Sequence, residues 1–173
     1  MELRILTEAE QLAFGSQILE MLTASDKEFV PPLSARSSTT QQVLSGGEGS
    51  PEGILQYYNQ LQTQKVMAAV EGDTLLAFVS YIENYENDTV VQLPNIYLST
   101  LVMRPEARGK GLTKRLYAQL FAAYAPAPVF TRTWSTNTPH LRILDYFGFE
   151  TIKVLPDHRG KGIDTVYFRL KQE

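Results

Sequence analysis

The chain has no cysteine at all, which excludes disulfides, thiolate nucleophiles and cysteine-ligated metals. It has only two histidines, His140 and His158, too far apart in sequence to suggest a metal site and without a recognisable partner, so no metal is expected. No run approaches the roughly eighteen apolar residues that a membrane span needs. The opening Met1–Leu6 mixes charge with short apolar pieces and does not read as a secretory leader. A cytoplasmic protein with no membrane partner is the expectation. An excess of one charge is missing too: 16 Lys and Arg stand against 19 Asp and Glu, a net charge of −3. Nothing in that balance draws the chain to nucleic acid, so any anion site must be a local cluster.

What remains is a composition with 43% hydrophobic and 20% charged residues, ordinary for a globular protein. At 173 residues the simplest organisation is one domain, residues 1–173. Leu3–Leu6 reads as a strand. Thr7 with Glu10 three residues on is a capping-box signature, predicting a helix whose apolar face is Leu12, Ile18, Leu19 and Leu22. Residues 34–50, rich in Ser, Thr, Gln and Gly, read as a mobile loop. Ser50-Pro51 restarts a helix.

Lys65–Glu71 and Thr74–Glu83 are strand-like runs joined by Gly72-Asp73, a hairpin signal. Val90–Met103 contains a further strand, interrupted near Pro94. Leu112, Leu116 and Leu120 recur every fourth residue and predict a helix ending before Pro126. A strand over Pro128–Ser135, a helix from Thr138-Pro139 to Gly148, and strands at Thr151–Leu155 and Thr165–Leu170 complete the order. Such an order predicts a mixed α/β domain around one sheet.

The tetrapeptide Arg-Gly-Lys-Gly occurs twice, at 108–111 and 159–162. The first follows a strand and opens a helix, where free N–H groups and the helix dipole favour an anion. Arg104, Arg108, Lys110, Lys114 and Arg115 crowd around it. The second precedes an alternating strand-like run and reads as a flexible basic turn. Neither copy completes the P-loop or dinucleotide fingerprints. One phosphate site and one basic turn are expected.

With its strand and helix, the first copy resembles the GNAT superfamily of acetyl-CoA-dependent N-acetyltransferases. The stretch LVMRPEARGKGLTKRL looks like that family's fourth strand, pyrophosphate loop and following helix, with Glu106 where the pattern has Gln or Arg. STNTPHLRILDYFGF resembles its fifth-strand asparagine, next helix and closing Gly-Phe. The resemblance covers about Lys65 to Leu170. It implies a central twisted, mostly antiparallel sheet with splayed fourth and fifth strands, flanked by helices, and acetyl-CoA as the acetyl donor. It also implies that the main chain of Leu101, Val102 and Met103 pairs with pantetheine. The N–H groups of Arg108, Gly109, Lys110, Gly111 and Leu112 would hold the pyrophosphate with the Thr113 hydroxyl, and Asn137 would reach the pantetheine arm. The acceptor would be a small-molecule or peptide amine, its pocket shaped by the N-terminal third, including loop 34–50 and Tyr57-Tyr58. The enzyme would be a monomer or homodimer.

The catalytic groups match less well. Leu144 stands where many members carry a tyrosine acid, and Tyr146, two residues on, is rotated about 200° around the helix. Tyr97 is the candidate left on the fourth strand, with the Met103 N–H as oxyanion donor and Glu83 as a base acting through water. Glu83, Glu86 and Asp88 make the preceding loop acidic, which would suit a cationic amine. Two alternatives stay open. Salt-sensitive DNA binding would mark a nucleic-acid module, and CoA binding without turnover a regulatory protein.

Overall fold

A computed structural model describes all 173 residues. The strands are β1 (Glu2–Ile5), β2 (Lys65–Glu71), β3 (Thr74–Glu83), β4 (Ile96–Met103), β5 (Val129–Trp134), β6 (Glu150–Leu155) and β7 (Thr165–Leu170). The helices are α1 (Glu8–Ala13), α2 (Gly15–Ser25), α3 (Pro51–Leu61), α4 (Leu112–Tyr124) and α5 (Thr138–Phe147). All seven strands form one sheet in the order β1-β2-β3-β4-β5-β7-β6. Every neighbour pair is antiparallel except β4 and β5, which run parallel. A parallel pair needs a long crossover, and α4 supplies it.

β2 is buried from Val66 to Val70 without a break, because helices cover both faces of the sheet and leave no solvent side for polar residues to alternate into. On one face, Leu112, Leu116 and Leu120 of α4 pack on Met67, Ala69, Val79 and Leu98. On the other, Ile18 and Leu22 of α2 with Tyr57 and Leu61 of α3 pack on Ala68, Phe78 and Val102. A third cluster of Val90, Tyr97, Phe130 and Tyr167 lies farther along the sheet.

Two features of β4 place the site. Ser80 pairs with Thr100 while Tyr81 pairs with Leu98, so Ser99 is an extra, bulged residue. A bulge bends its strand and increases local twist. On the other edge, β4 pairs with β5 only at Ile96–Leu98 against Val129–Thr131. The two strands part beyond Leu98 and Thr131, which gives the splay that the resemblance implied.

The N-terminal helix differs from its expected form. Thr7 does build the capping box, its Oγ1 accepting from the Glu10 N–H at 3.1 Å while Glu10 Oε1 accepts from the Thr7 N–H at 3.1 Å. The helix then breaks at Phe14, and α2 continues on a new phase. Leu12, expected on the apolar face, is 78% exposed, while Met21 joins Ile18 and Leu22 inside. β4 also starts later than the run from Val90 suggested. Asn95 ties down the segment before it: its Oδ1 accepts from the Tyr85 N–H at 3.0 Å, and its Nδ2 donates to Tyr85 O at 2.8 Å and Gln92 O at 2.7 Å.

The two leucines give a direct test. Leu116→Ala, at a fully buried site, is expected to cost about 3 kcal/mol in urea unfolding, the range for emptying a packed leucine site. Leu12→Ala is expected to change stability by less than about 0.5 kcal/mol, as for an exposed position.

Candidate functional site

Where β4 and β5 diverge, a cavity of about 720 Å³ opens between them. That is within the usual range for a small-molecule site. Its walls include Ser99–Met103 of β4, Thr131–Trp134 of β5, the start of α4 and the start of α5. The volume exists because one strand pair stops while helices on both faces hold the strands in place.

The first Arg-Gly-Lys-Gly lies at its mouth. Gly109 and Gly111 have φ of +77° and +72°, the left-handed region that side chains oppose. This path lets the chain turn from the 3₁₀ segment Pro105–Ala107 directly into α4. None of the backbone N–H groups from Gly109 to Lys114 donates to another protein group, and α4 has no side-chain cap. Unpaired N–H groups at the positive end of a thirteen-residue helix form an anion cradle. Arg108 donates from Nη1 and Nη2 to the Glu28 carboxylate at 2.8 and 3.0 Å, and from Nε and Nη2 to Met103 O at 3.3 and 3.2 Å. It therefore spans the entrance.

The cavity brings together most residues singled out from the sequence. Leu101, Val102, Met103, Arg108, Gly109, Gly111, Leu112, Thr113 and Asn137 line it. Lys110 sits between the two glycines of the cradle and is exposed. Asn137 does not use its side chain as a helix cap. Its Nδ2 instead donates to Thr133 Oγ1 of β5 at 3.0 Å.

Tyr97 is not brought to the cavity. It points into the third cluster, 1% exposed, with its ring tilted against that of Tyr85 at a centroid distance of 4.5 Å. Burial raises its pKa well above the usual phenol value. Glu83 lies at the end of β3, 3.3 Å from the Lys65 ammonium, and neither it nor Glu86 nor Asp88 lines the cavity. Leu144 is buried in the first cluster. Tyr146 is exposed outside the cavity lining, beneath the Lys114 ammonium at 4.0 Å, rotated away from the buried Leu144. Tyr57 and Tyr58 are not in the lining either; the buried Tyr57 hydroxyl bonds Thr100 Oγ1.

The second Arg-Gly-Lys-Gly corrects its expected form. Arg159 is only 6% exposed and reaches into the cavity. Its Nε donates to Thr165 Oγ1 at 2.9 Å and its Nη1 to Val30 O at 2.8 Å, with the guanidinium over the Trp134 ring. Arg36 and Arg132 line the same space. Arg159 stood out only as part of a basic turn, and nothing local signalled that these three meet, because they come from distant segments. Both histidines also prove partnered. His158 Nδ1 meets Thr165 Oγ1 at 2.6 Å, and His140 Nε2 meets the Tyr117 hydroxyl at 2.8 Å on the cavity wall. Burial lowers the His140 pKa to about 4, so its ring is neutral at pH 7.

The profile of the acetyltransferase (GNAT) family matches residues 39–149. No curated protein matches significantly. Among solved structures, a GNAT-family protein from Desulfovibrio desulfuricans superposes with a TM-score of 0.65 at 16% identity, covering 98% of each chain. The Salmonella typhimurium protein yncA, solved with its cofactor acetyl-CoA, gives 0.65 at 16% identity over 100% of this chain and 94% of that one. The aminoglycoside 6′-N-acetyltransferase of Enterococcus faecium gives 0.67 at 14% identity over 99% and 97%. At these identities the likeness is one of fold.

His140 makes stability depend on pH. Its folded pKa lies below the ordinary 6.5, so the unfolded chain binds the extra proton first. The stabilisation is complete above about pH 6.5 and is lost as pH falls from there toward 4. Between pH 8 and pH 5 the loss attributable to His140 is expected to be about 2 kcal/mol. Denaturant unfolding at both pH values, compared with His140→Gln, is expected to show that share of the pH dependence gone in the variant.

Proposed function

Because the chain belongs to the acetyltransferase (GNAT) family, and is thereby assigned to acyl transfer, we propose that it is an N-acetyltransferase passing an acetyl group from acetyl-CoA to a primary amine. The acceptor is a small molecule or a peptide, and both substrates are bound when the transfer occurs. What supports this most is the N–H cradle from Gly109 to Lys114 at the mouth of an unzipped strand pair. The cradle suits the pyrophosphate of CoA. The open edge of β4, Leu101 to Met103, suits the amides of pantetheine, which would lie along it as an added strand. Asn137, fixed to β5 through Thr133, faces that arm from the opposite wall. The relative solved with acetyl-CoA supports the choice of donor, and the aminoglycoside 6′-N-acetyltransferase supports an amine acceptor. The whole chain acts as one acetyltransferase domain, in which residues 34–50 form a wall of the site and not the free loop expected, with Arg36, Thr39 and Leu44 buried.

The chemistry asks little of side chains. The neutral amine attacks the thioester carbonyl, a C–N bond forms, the C–S bond breaks, and the amine's proton passes through solvent while the thiolate takes one up. Alignment of the two reactants supplies a large part of the acceleration. A β4 backbone N–H, Met103 in this proposal, stabilises the oxyanion. No covalent enzyme intermediate is required, and the chain has no cysteine to form one.

Calorimetry is expected to show acetyl-CoA binding that weakens with added salt, since a basic loop meets phosphates. Gly111→Val is expected to lose about 2 kcal/mol of that affinity, roughly 30-fold, as donors to a charged group are displaced. Gly162→Val is the matched control: its φ of +76° imposes the same backbone strain as the +72° of Gly111, away from the cradle. Equal losses in two folded variants would sink the assignment of the cradle to CoA.

A further inference from the structure

The acceptor side of the cavity carries positive charge that the protein does not neutralise. Arg132 alternates along β5 with Thr131 and Thr133, so it projects from the same face as Phe130 of the third cluster, opposite Val129, which packs with α4. Arg36 follows the 3₁₀ segment Leu33–Ala35, which lies against α3 on that same side. The helix bearing the N–H cradle covers the other face. Phe29 and Trp134, with ring centroids 5.7 Å apart, stand between Arg36 and Arg159, whose guanidinium carbons lie 5.9 and 5.7 Å from those rings.

Every group that holds these arginines is neutral. Arg36 Nε and Nη2 donate to Pro31 O at 3.1 and 2.8 Å. Arg159 donates to Thr165 Oγ1 and Val30 O, and Arg132 Nη2 to Gln41 O at 2.7 Å. Arg132 Nη1 is buried and has no hydrogen-bond partner at all. The phenol of Tyr97 stands near Arg132, but burial keeps it protonated and so without compensating charge. Glu28, the one carboxylate in the cavity wall, is occupied by Arg108. Asp26, behind the wall, is spent on the Ser34 N–H and hydroxyl at 2.7 Å each. Burial, then repulsion from Arg36 and Arg132, lowers the Arg159 pKa to about 9. Burying an unpaired charge is costly, and two buried arginines beside a half-buried third whose Nη1 is enclosed call for an anion.

We infer that the amine acceptor carries its own oxyanion, a carboxylate or phosphonate, which docks between Arg36, Arg132 and Arg159 and takes the free Nη1 of Arg132. The substrate class is then small amino acids and their phosphonate counterparts, held by a charge-assisted fork that leaves the amine directed at β4. Polycationic amines are repelled from the same wall. The inference rests on the transferase reading for the amine, but the anion site itself rests on the three arginines alone.

The wild-type protein tests it. CoA-thiol release is measured with acetyl-CoA and L-α-amino acids, each paired with its carboxamide, alongside an aminoalkylphosphonate, spermidine and an aminoglycoside. At least one carboxylate or phosphonate amine is expected to exceed its uncharged partner and both polycations in kcat/KM by about 30-fold, the loss expected when a charge-assisted hydrogen bond is removed; whether the carboxylate or phosphonate arm leads identifies the oxyanion. Arg132→Gln is expected to raise KM for that amine by a similar factor while leaving KM for acetyl-CoA within about twofold, because the cradle lies on the other face. Arg132→Lys, which keeps charge but not the fork, is expected to fall between. Amides used as well as acids, or a preference for polycations, would overturn the inference. If nothing is turned over, calorimetry of the same acids and amides against the CoA-loaded protein separates the cases. Binding of acids alone keeps the anion site and removes the transferase reading, and binding of neither removes the inference.

Discussion

Beyond Leu98 and Thr131, β4 and β5 no longer share a ladder, yet both remain fixed on their outer edges, β4 to β3 and β5 to β7. The cavity and the electropositive groups along its walls depend on that partial pairing. A sheet closed along its length would have no cavity, and a sheet without the three paired residues would fall into two halves. The bulge at Ser99 and the hydrogen bond from Thr131 Oγ1 to Leu98 O at 3.1 Å sit at the point of divergence. The cores on the two faces, built from α4 on one side and α2 with α3 on the other, keep the gap from collapsing. The opening is thus held by packing outside it, which leaves its own walls free to be polar.

The regular elements were legible because local signals and tertiary packing agree. Gly72-Asp73 sits at a hairpin between two well-patterned strands, and Leu112, Leu116 and Leu120 repeat along α4 on the side that meets the sheet. The cradle was legible for the same reason, since strand, glycines and helix lie within one short stretch. Disagreement came where distance in sequence hid a neighbour. Leu12 fits a helical stripe, but the break at Phe14 turns it outward. Tyr97 lies on the right strand and on a face that leads into core.

Arg159 is the clearest case. Its tetrapeptide matches the cradle's letter for letter, and in isolation a basic, glycine-rich turn before a strand reads as solvated. The difference lies in what the rest of the chain brings to it: Val30, Thr165 and Trp134 surround the guanidinium. Identical residues therefore present backbone N–H groups at one place and a side-chain cation at the other. The two copies contribute to opposite faces of the same opening, so the repeat in the sequence marks two kinds of electropositive surface.

The divergence of β4 from β5 has a consequence for solubility. An unpaired strand edge invites edge-to-edge association with other chains, which proteins resist by charging, bending or covering the rim of a sheet. Here the unpaired stretch of β4 lies in the middle of the sheet order, between covered faces. A second polypeptide strand, with side chains on both faces, would meet α4 on one side and the arginine wall on the other. A slender chain of amides with only small side groups meets neither. The fold thereby keeps a reactive backbone edge available to a ligand while denying it to its own copies.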